Sequence, residues 1–293
     1  MTFSVIGYDP RNGDVGMVIS TWALAVGSRV PHAEAGVGAV ATQANTNASL
    51  GPRIIDLLRT GRSPRDAVEA TLATDSARDQ RQVVAIDTRG EVFAWTGATT
   101  KPWSGHLIAE NVATFGNLVV GDGVLADAMA AYQSTAGELR DRLLAAYRAG
   151  QAAGGDAQGV QSAVLFISRI NAYPFIDLRV DDHPAPIDEL HRLAALAEQS
   201  IAPRLPQLEI ERPQRIEPGR LTSLRVTVAG LPVSNIAVTA HREFRGMTGA
   251  DGTLHLIFSD VGDYYLVAAQ PPTSNRAAAS YQFIPAVCWA RIE

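Results

Sequence analysis

The order in which strand and helix patterns alternate sets the tightest limit on what this chain can fold into. Residues 2–9 and 14–21 read as strands on either side of Pro10-Arg11-Asn12-Gly13, where Asn-Gly is a strong hairpin signal. Residues 36–43 form a third apolar run. Helical spacing follows over 52–59 and again over 63–73, with Ser63 placed to cap and Pro64 to open the second helix. Strand patterns return at 81–87, 91–95 and 112–118, and helical ones at 123–133 and 139–149. Strands at 161–169 and 175–180 and a closing helix over 186–199 complete the series. Helices that come in pairs do not fit the single crossovers of a doubly wound parallel sheet. They fit an α+β fold in which two stacked sheets are covered by helices.

The pattern changes over 202–219, where Pro203, Pro206, Pro213 and Pro218 with charged residues between them mark a linker. Beyond it the alternation is strand-like throughout. Leu224-Arg225-Val226-Thr227-Val228 is followed by runs at 236–241, 253–258 and 264–269, and Gly249-Ala250-Asp251-Gly252 marks a turn. Short strands at such spacing predict a small all-β sandwich. Through Gly230-Leu231-Pro232-Val233, Thr248-Gly249-Ala250-Asp251-Gly252 and Gly262-Asp263-Tyr264-Tyr265 the tail resembles the Ig- or transthyretin-like modules appended to many bacterial enzymes. The expected organisation is a mixed domain over 1–204, a linker over 205–219 and an all-β domain over 220–293.

Composition removes several function classes. With 25 Lys+Arg against 30 Asp+Glu, the formal net charge is −5 and the two signs are interspersed, so nucleic acid is not an expected partner. No apolar run approaches the ~18 residues that would span a bilayer, so neither is a membrane. Cys288 is the only cysteine, which excludes an intrachain disulfide, and the first ten residues carry no basic leader. A cytoplasmic protein is expected. Lys101 is the sole lysine, which limits Schiff-base, pyridoxal-phosphate and P-loop chemistry to that position. Asp181-Asp182-His183 looks like a metal triplet, but consecutive strand residues point to opposite faces. No cofactor and no metal are expected.

The residue that carries chemistry is Thr2. If the initiator methionine is removed, its hydroxyl and a free α-amine belong to one residue. An α-amine with a pKa near ~7.7–8 is partly neutral at cellular pH and can accept the hydroxyl proton. A threonine so activated is a nucleophile, and acylation followed by attack of water hydrolyses an amide. Asn117, beside Gly116, is the first choice for stabilising the oxyanion, together with nearby backbone N–H groups. Thr21 ends the second hairpin strand beside Ser20, both placed to hydrogen-bond the amine, and Ser162, with Asp156 ahead of it in a Gly-rich turn, is placed likewise. Gln43, Asn45 and Asn47 close the third apolar run and are candidates for binding substrate, and His32 is a candidate to line the pocket.

Longer runs carry a resemblance. Thr2-Phe3-Ser4-Val5, Ala25-Val26-Gly27-Ser28-Arg29-Val30-Pro31, Gly36-Val37-Gly38-Ala39-Val40-Ala41-Thr42-Gln43-Ala44, Gln80-Arg81-Gln82-Val83 and Asp177-Leu178-Arg179-Val180-Asp181-Asp182-His183-Pro184 stand in order along residues 2–200. With them the chain resembles a bacterial family of uncharacterised proteins similar to the N-terminal-nucleophile (Ntn) hydrolases. Three positions depart from the family pattern: Ala48 and Leu50 stand where Pro and an aromatic are expected, and Phe115 where Gln is expected. The resemblance implies a four-layer αββα sandwich and a nucleophile at the amino terminus. The function expected is a cofactor-free amidohydrolase that cleaves a small amide through an acyl-Thr2 intermediate. The alternatives are a non-catalytic binding or assembly protein and an acyltransferase using the same acyl-enzyme. Ala-rich helices at 123–149 and 190–197 suit subunit contacts, so a homo-oligomer is expected.

Overall fold

Strands β1 (Thr2–Asp9) and β2 (Asp14–Thr21) form the expected hairpin and occupy the middle of a sheet. The computed structural model describes residues 2–200, 208–213, 215–240, 243–258, 262–269 and 286–292. Next along the chain come β3 (Pro31–Glu34), β4 (Gly38–Ala44), helices α1 (Leu50–Arg59) and α2 (Pro64–Leu72), then β5 (Arg81–Asp87), β6 (Val92–Thr96), β7 (Ser104–Ala109) and β8 (Val112–Asn117). Helices α3 (Gly123–Ser134) and α4 (Leu139–Ala152), strands β9 (Ser162–Ser168) and β10 (Ile176–Val180), and helix α5 (Pro186–Ser200) follow. One sheet has the order β10-β9-β2-β1-β8-β7 and the other β3-β4-β5-β6, and their pairings are antiparallel. The expected α+β class holds.

Period-two alternation explains the layering. Along β1, Ile6 and Tyr8 face the other sheet and meet Ala39, Ala41 and Val84 between the sheets. Phe3 and Val5 point the opposite way, into a core shared with α3, α4 and α5. On the far side of the four-stranded sheet, Val40, Val83 and Ala85 pack under α1 and α2. Strands buried on both faces read as nearly continuous apolar runs, which is why they were easy to place from sequence.

Local signals set the boundaries. Ser63 Oγ accepts the backbone N–H of Asp66 at 3.1 Å and so caps α2, with Pro64 behind it. Gly150 is required where α4 crosses β1, because a Cβ there would stand 2.3 Å from the Phe3 ring. Phe3 also stacks on Tyr147 with ring centroids 6.0 Å apart, fixing the strand that begins at Thr2. At the opposite end of the sheet, Arg169 clamps Asp14 through contacts of 2.5 and 2.7 Å and covers the Phe175 ring. Among β1–β10, two strands escaped the sequence reading. Strand β3 has only four residues, and β7 is a sheet edge whose Leu107 and Ile108 face solvent, reversing the usual pattern.

Residues Ser200–Glu293 form a second compact unit. Its strands are β11 (Glu209–Glu211), β12 (Leu221–Val228), β13 (Leu231–Pro232), β14 (Ala237–Ala240), β15 (Glu243–Met247), β16 (Thr253–Ile257), β17 (Gly262–Ala269) and β18 (Ala286–Ile292). One sheet joins β11, β12, β13 and β16, the other β15-β14-β17-β18, and Leu224, Val226 and Leu256 from the first share a core with Val238, Ala240 and Leu266 from the second. The expected linker over 205–219 is partly strand, since Glu209–Glu211 pairs with residues 225–227 of β12. The expected boundary at 204/205 lies outside the described residues.

Candidate functional site

The pleat that sends Ile6 and Tyr8 between the sheets sends Ser4 and Thr2 there as well. Each neighbouring strand turns polar at the same end. Thr2 pairs with Asn117 on β8, Phe3 pairs with Ser20 on β2, and Thr21 pairs with Ser162 on β9. Thr2 is 5% exposed, and its hydroxyl donates to Thr21 Oγ1 at 3.4 Å, long for a bond between hydroxyls. Thr2 is therefore buried among hydroxyl and amide groups.

The floor beneath Thr2 is a hydrogen-bonded chain running between the sheets. Ser4 Oγ donates to Gln43 Oε1 at 2.6 Å, and Gln43 Nε2 donates to Gln82 Oε1 at 2.8 Å. Asn117 Nδ2 donates to the same Gln82 oxygen at 3.1 Å. Gln82 Nε2 in turn reaches Thr96 Oγ1 at 3.0 Å and the carbonyls of Gly105 and Gly116 at 3.0 and 2.9 Å. These bonds settle which way each amide faces. They commit one Asn117 N–H to Gln82 and leave that side chain a second N–H. The chain ends on His106, whose Nδ1 lies 2.9 Å from Thr96 Oγ1, and burial lowers the His106 pKa, favouring the neutral ring.

The structure brings some of the candidates together and scatters others. Thr2, Thr21 and Asn117 share one end of three adjacent strands. Ser162 lies beside them, but its hydroxyl donates to the Ala23 carbonyl at 2.6 Å and accepts the Val26 N–H, so it secures the loop after β2. Gln43 lies within the floor, its amide engaged at both ends. Asn45 is exposed and donates to Gln80, while Asn47 accepts from Ser49 and shapes the turn before α1. His32 faces away: it pairs with Val40 on the side of the sheet covered by α1, with its ring against Gly51. Ser20 likewise points to the helices, the reverse of Thr21, because neighbours on a strand alternate. The backbone N–H groups after Asn117 are already occupied, Leu118 by the Lys101 carbonyl and Val119 by that of Trp103. A groove of about 560 Å³ lies elsewhere, lined by Arg148, Gln151 and residues 184–188. Among the described residues no group of His, Cys, Asp and Glu side chains is arranged to hold a metal, and no helix is long and apolar enough to cross a membrane.

The profile of a family of unknown function, DUF1028, matches residues 2–190, which carry both of these sheets and the polar groups around Thr2. The chain belongs to the DUF1028 family. A crystal structure of protein SPO2555 from Silicibacter pomeroyi, also described as DUF1028, is 32% identical with a TM-score of 0.63. The likeness covers 67% of this chain and 85% of that one. No curated protein matches the chain. The residues of this DUF1028 protein that the sequence reading passed over are Ser4, Gln82, Thr96 and His106. A signal for the first two was present: each is a polar residue at an inward position of an otherwise apolar strand, as in Gln82, Val84 and Ile86.

Proposed function

We propose that this DUF1028 protein is an amide hydrolase of the Ntn type, with Thr2 as nucleophile once the peptide bond ahead of it is cleaved. The observation that carries the reading is the setting of Thr2: the opening residue of a central strand, buried between two sheets, with Thr21 and Asn117 on either side. In the proposed reaction Thr2 Oγ1 attacks the acyl carbon while its proton passes to the α-amine. The carbonyl oxygen, now an oxyanion, takes the second Asn117 N–H. Collapse breaks the C–N bond, the leaving amine takes the proton, and water then attacks the Thr2 ester and frees the acid. Gln82 holds Asn117 in place by accepting its other N–H. The Thr2→Ala variant is expected to lose turnover of small amides while keeping its stability within about 0.5 kcal/mol, as the Thr2–Thr21 hydroxyl contact is long and contributes little. Undiminished turnover in that variant, or a purified active chain that retains a residue before Thr2, refutes the proposal.

A further inference from the structure

Strand β1 lies between β2 and β8 and begins at Thr2, level with the ends of both neighbours at Thr21 and Asn117, whose chains run on beyond it. On the β8 side, Leu118 and Val119 donate to the Lys101 and Trp103 carbonyls next to β7. On the side that β1 would otherwise occupy, residues 118–120 instead meet 155–157: Val120 N–H bonds to the Gly155 carbonyl at 3.1 Å, Ala157 N–H to that of Leu118 at 3.0 Å, and Val119 bridges Asp156. On the β2 side, the backbone N–H of Trp22, one residue beyond Thr21, bonds to the Asp156 carboxylate. Residue 156 therefore stands in the lane of β1, across the gap from the amino end of Thr2. Gly154 makes the approach possible, with φ +113 and a Cβ position only 2.4 Å from the Val120 side chain.

Asp156 is 4% exposed, and although Oδ1 accepts the Gln158 N–H at 3.0 Å, Oδ2 meets no donor among the described residues. Such a group is costly to bury unless something cationic is meant to meet it. We propose, resting on the Thr2 hydrolase reading, that Asp156 is the positioning residue for the Thr2 α-amine: its Oδ2 receives an amine N–H and balances the ammonium formed when the amine takes the hydroxyl proton. The carboxylate itself takes no proton, as in the carboxylate that steadies a catalytic imidazolium. Burial raises the Asp156 pKa, against the Gln158 and Trp22 N–H bonds. The titratable group facing it from α4 is Tyr147, whose own pKa burial drives upward while the nearby Ser20 hydroxyl opposes the rise.

The test uses the full chain with Thr2 released as its first residue, and follows the reaction of the α-amine with an amine-directed reagent as a function of pH. Asp156→Asn is expected to move the amine's midpoint to lower pH by about one unit or more, the effect of losing an adjacent opposite charge. Asp156→Glu should restore most of that shift. A midpoint unchanged in Asp156→Asn overturns the proposal. In the wild-type protein, which needs no variant to fold, acetylating the Thr2 amine should raise the pH at which the Asp156 carboxyl titrates by ¹³C NMR. No change on acetylation overturns it equally. Neither readout needs turnover, so an active Thr2→Ala variant would sink the hydrolase while leaving the amine site to stand or fall by itself.

Discussion

Replacing Gln82 tests whether the chain of amides beneath Thr2 holds the two sheets in register. The side chain is fully buried and its oxygen accepts from both Gln43 and Asn117. Gln82→Ala leaves two buried N–H donors without their acceptor, at about 1–3 kcal/mol each. The sum is about 2–6 kcal/mol before any cavity term, a large share of the about 5–15 kcal/mol that stabilises a typical domain. The Gly105 and Gly116 carbonyls and the Thr96 hydroxyl also lose a donor, but a carbonyl tolerates partial satisfaction better than an orphaned N–H. The assay is urea unfolding followed by tryptophan fluorescence. Trp22, Trp95 and Trp103 report the first unit, and a Trp289→Phe background removes the second unit's signal. The midpoint should fall with the slope unchanged, as for a change in stability alone. A loss below about 1 kcal/mol would mean that water or neighbouring groups satisfy those donors, and the structural role given to Gln82 would be wrong.

Other perturbations separate the site from its scaffold. Arg169→Ala strands the buried Asp14 carboxylate and should cost about 3–5 kcal/mol in the same assay. His32, His106 and His191 all have pKa values lowered by burial, so the unfolded chain binds more protons than the folded one just below the ordinary histidine range. Their contribution to stability is complete above the unfolded pKa of 6.5 and declines as pH falls through that value toward the folded ones. His106→Gln should flatten part of that decline, and a pH–stability curve identical to wild type would contradict the burial of this ring.

How much of this could be read without coordinates differs from residue to residue. The hairpin, the capped start of α2 and the doubly buried strands follow from Asn12-Gly13, Ser63-Pro64 and continuous apolar runs, because turn geometry, capping and burial act over a few residues. Thr2 stood out through its place at the head of a hairpin strand and through the family resemblance, since a threonine after the initiator methionine is by itself commonplace. The edge strand β7 and the short β3 did not, because their pairing is decided by strands far away in sequence.

What the tertiary structure decided is which polar residues face each other. Neighbours along a strand alternate, so whether Thr21 or Ser20 meets Thr2 depends on the register of β2 against β1. His32 was a reasonable candidate on composition, but pairing with Val40 turned it toward α1. Gln43 and Gln82 are register partners on adjacent strands of one sheet while Ser4 and Asn117 belong to the other, and only the stacking of the two sheets at one separation lets these groups meet. Local physics placed a strand that opens on Thr2; the long-range packing of antiparallel sheets, which no short segment encodes, put a carboxylate, an amide and a hydroxyl around its end.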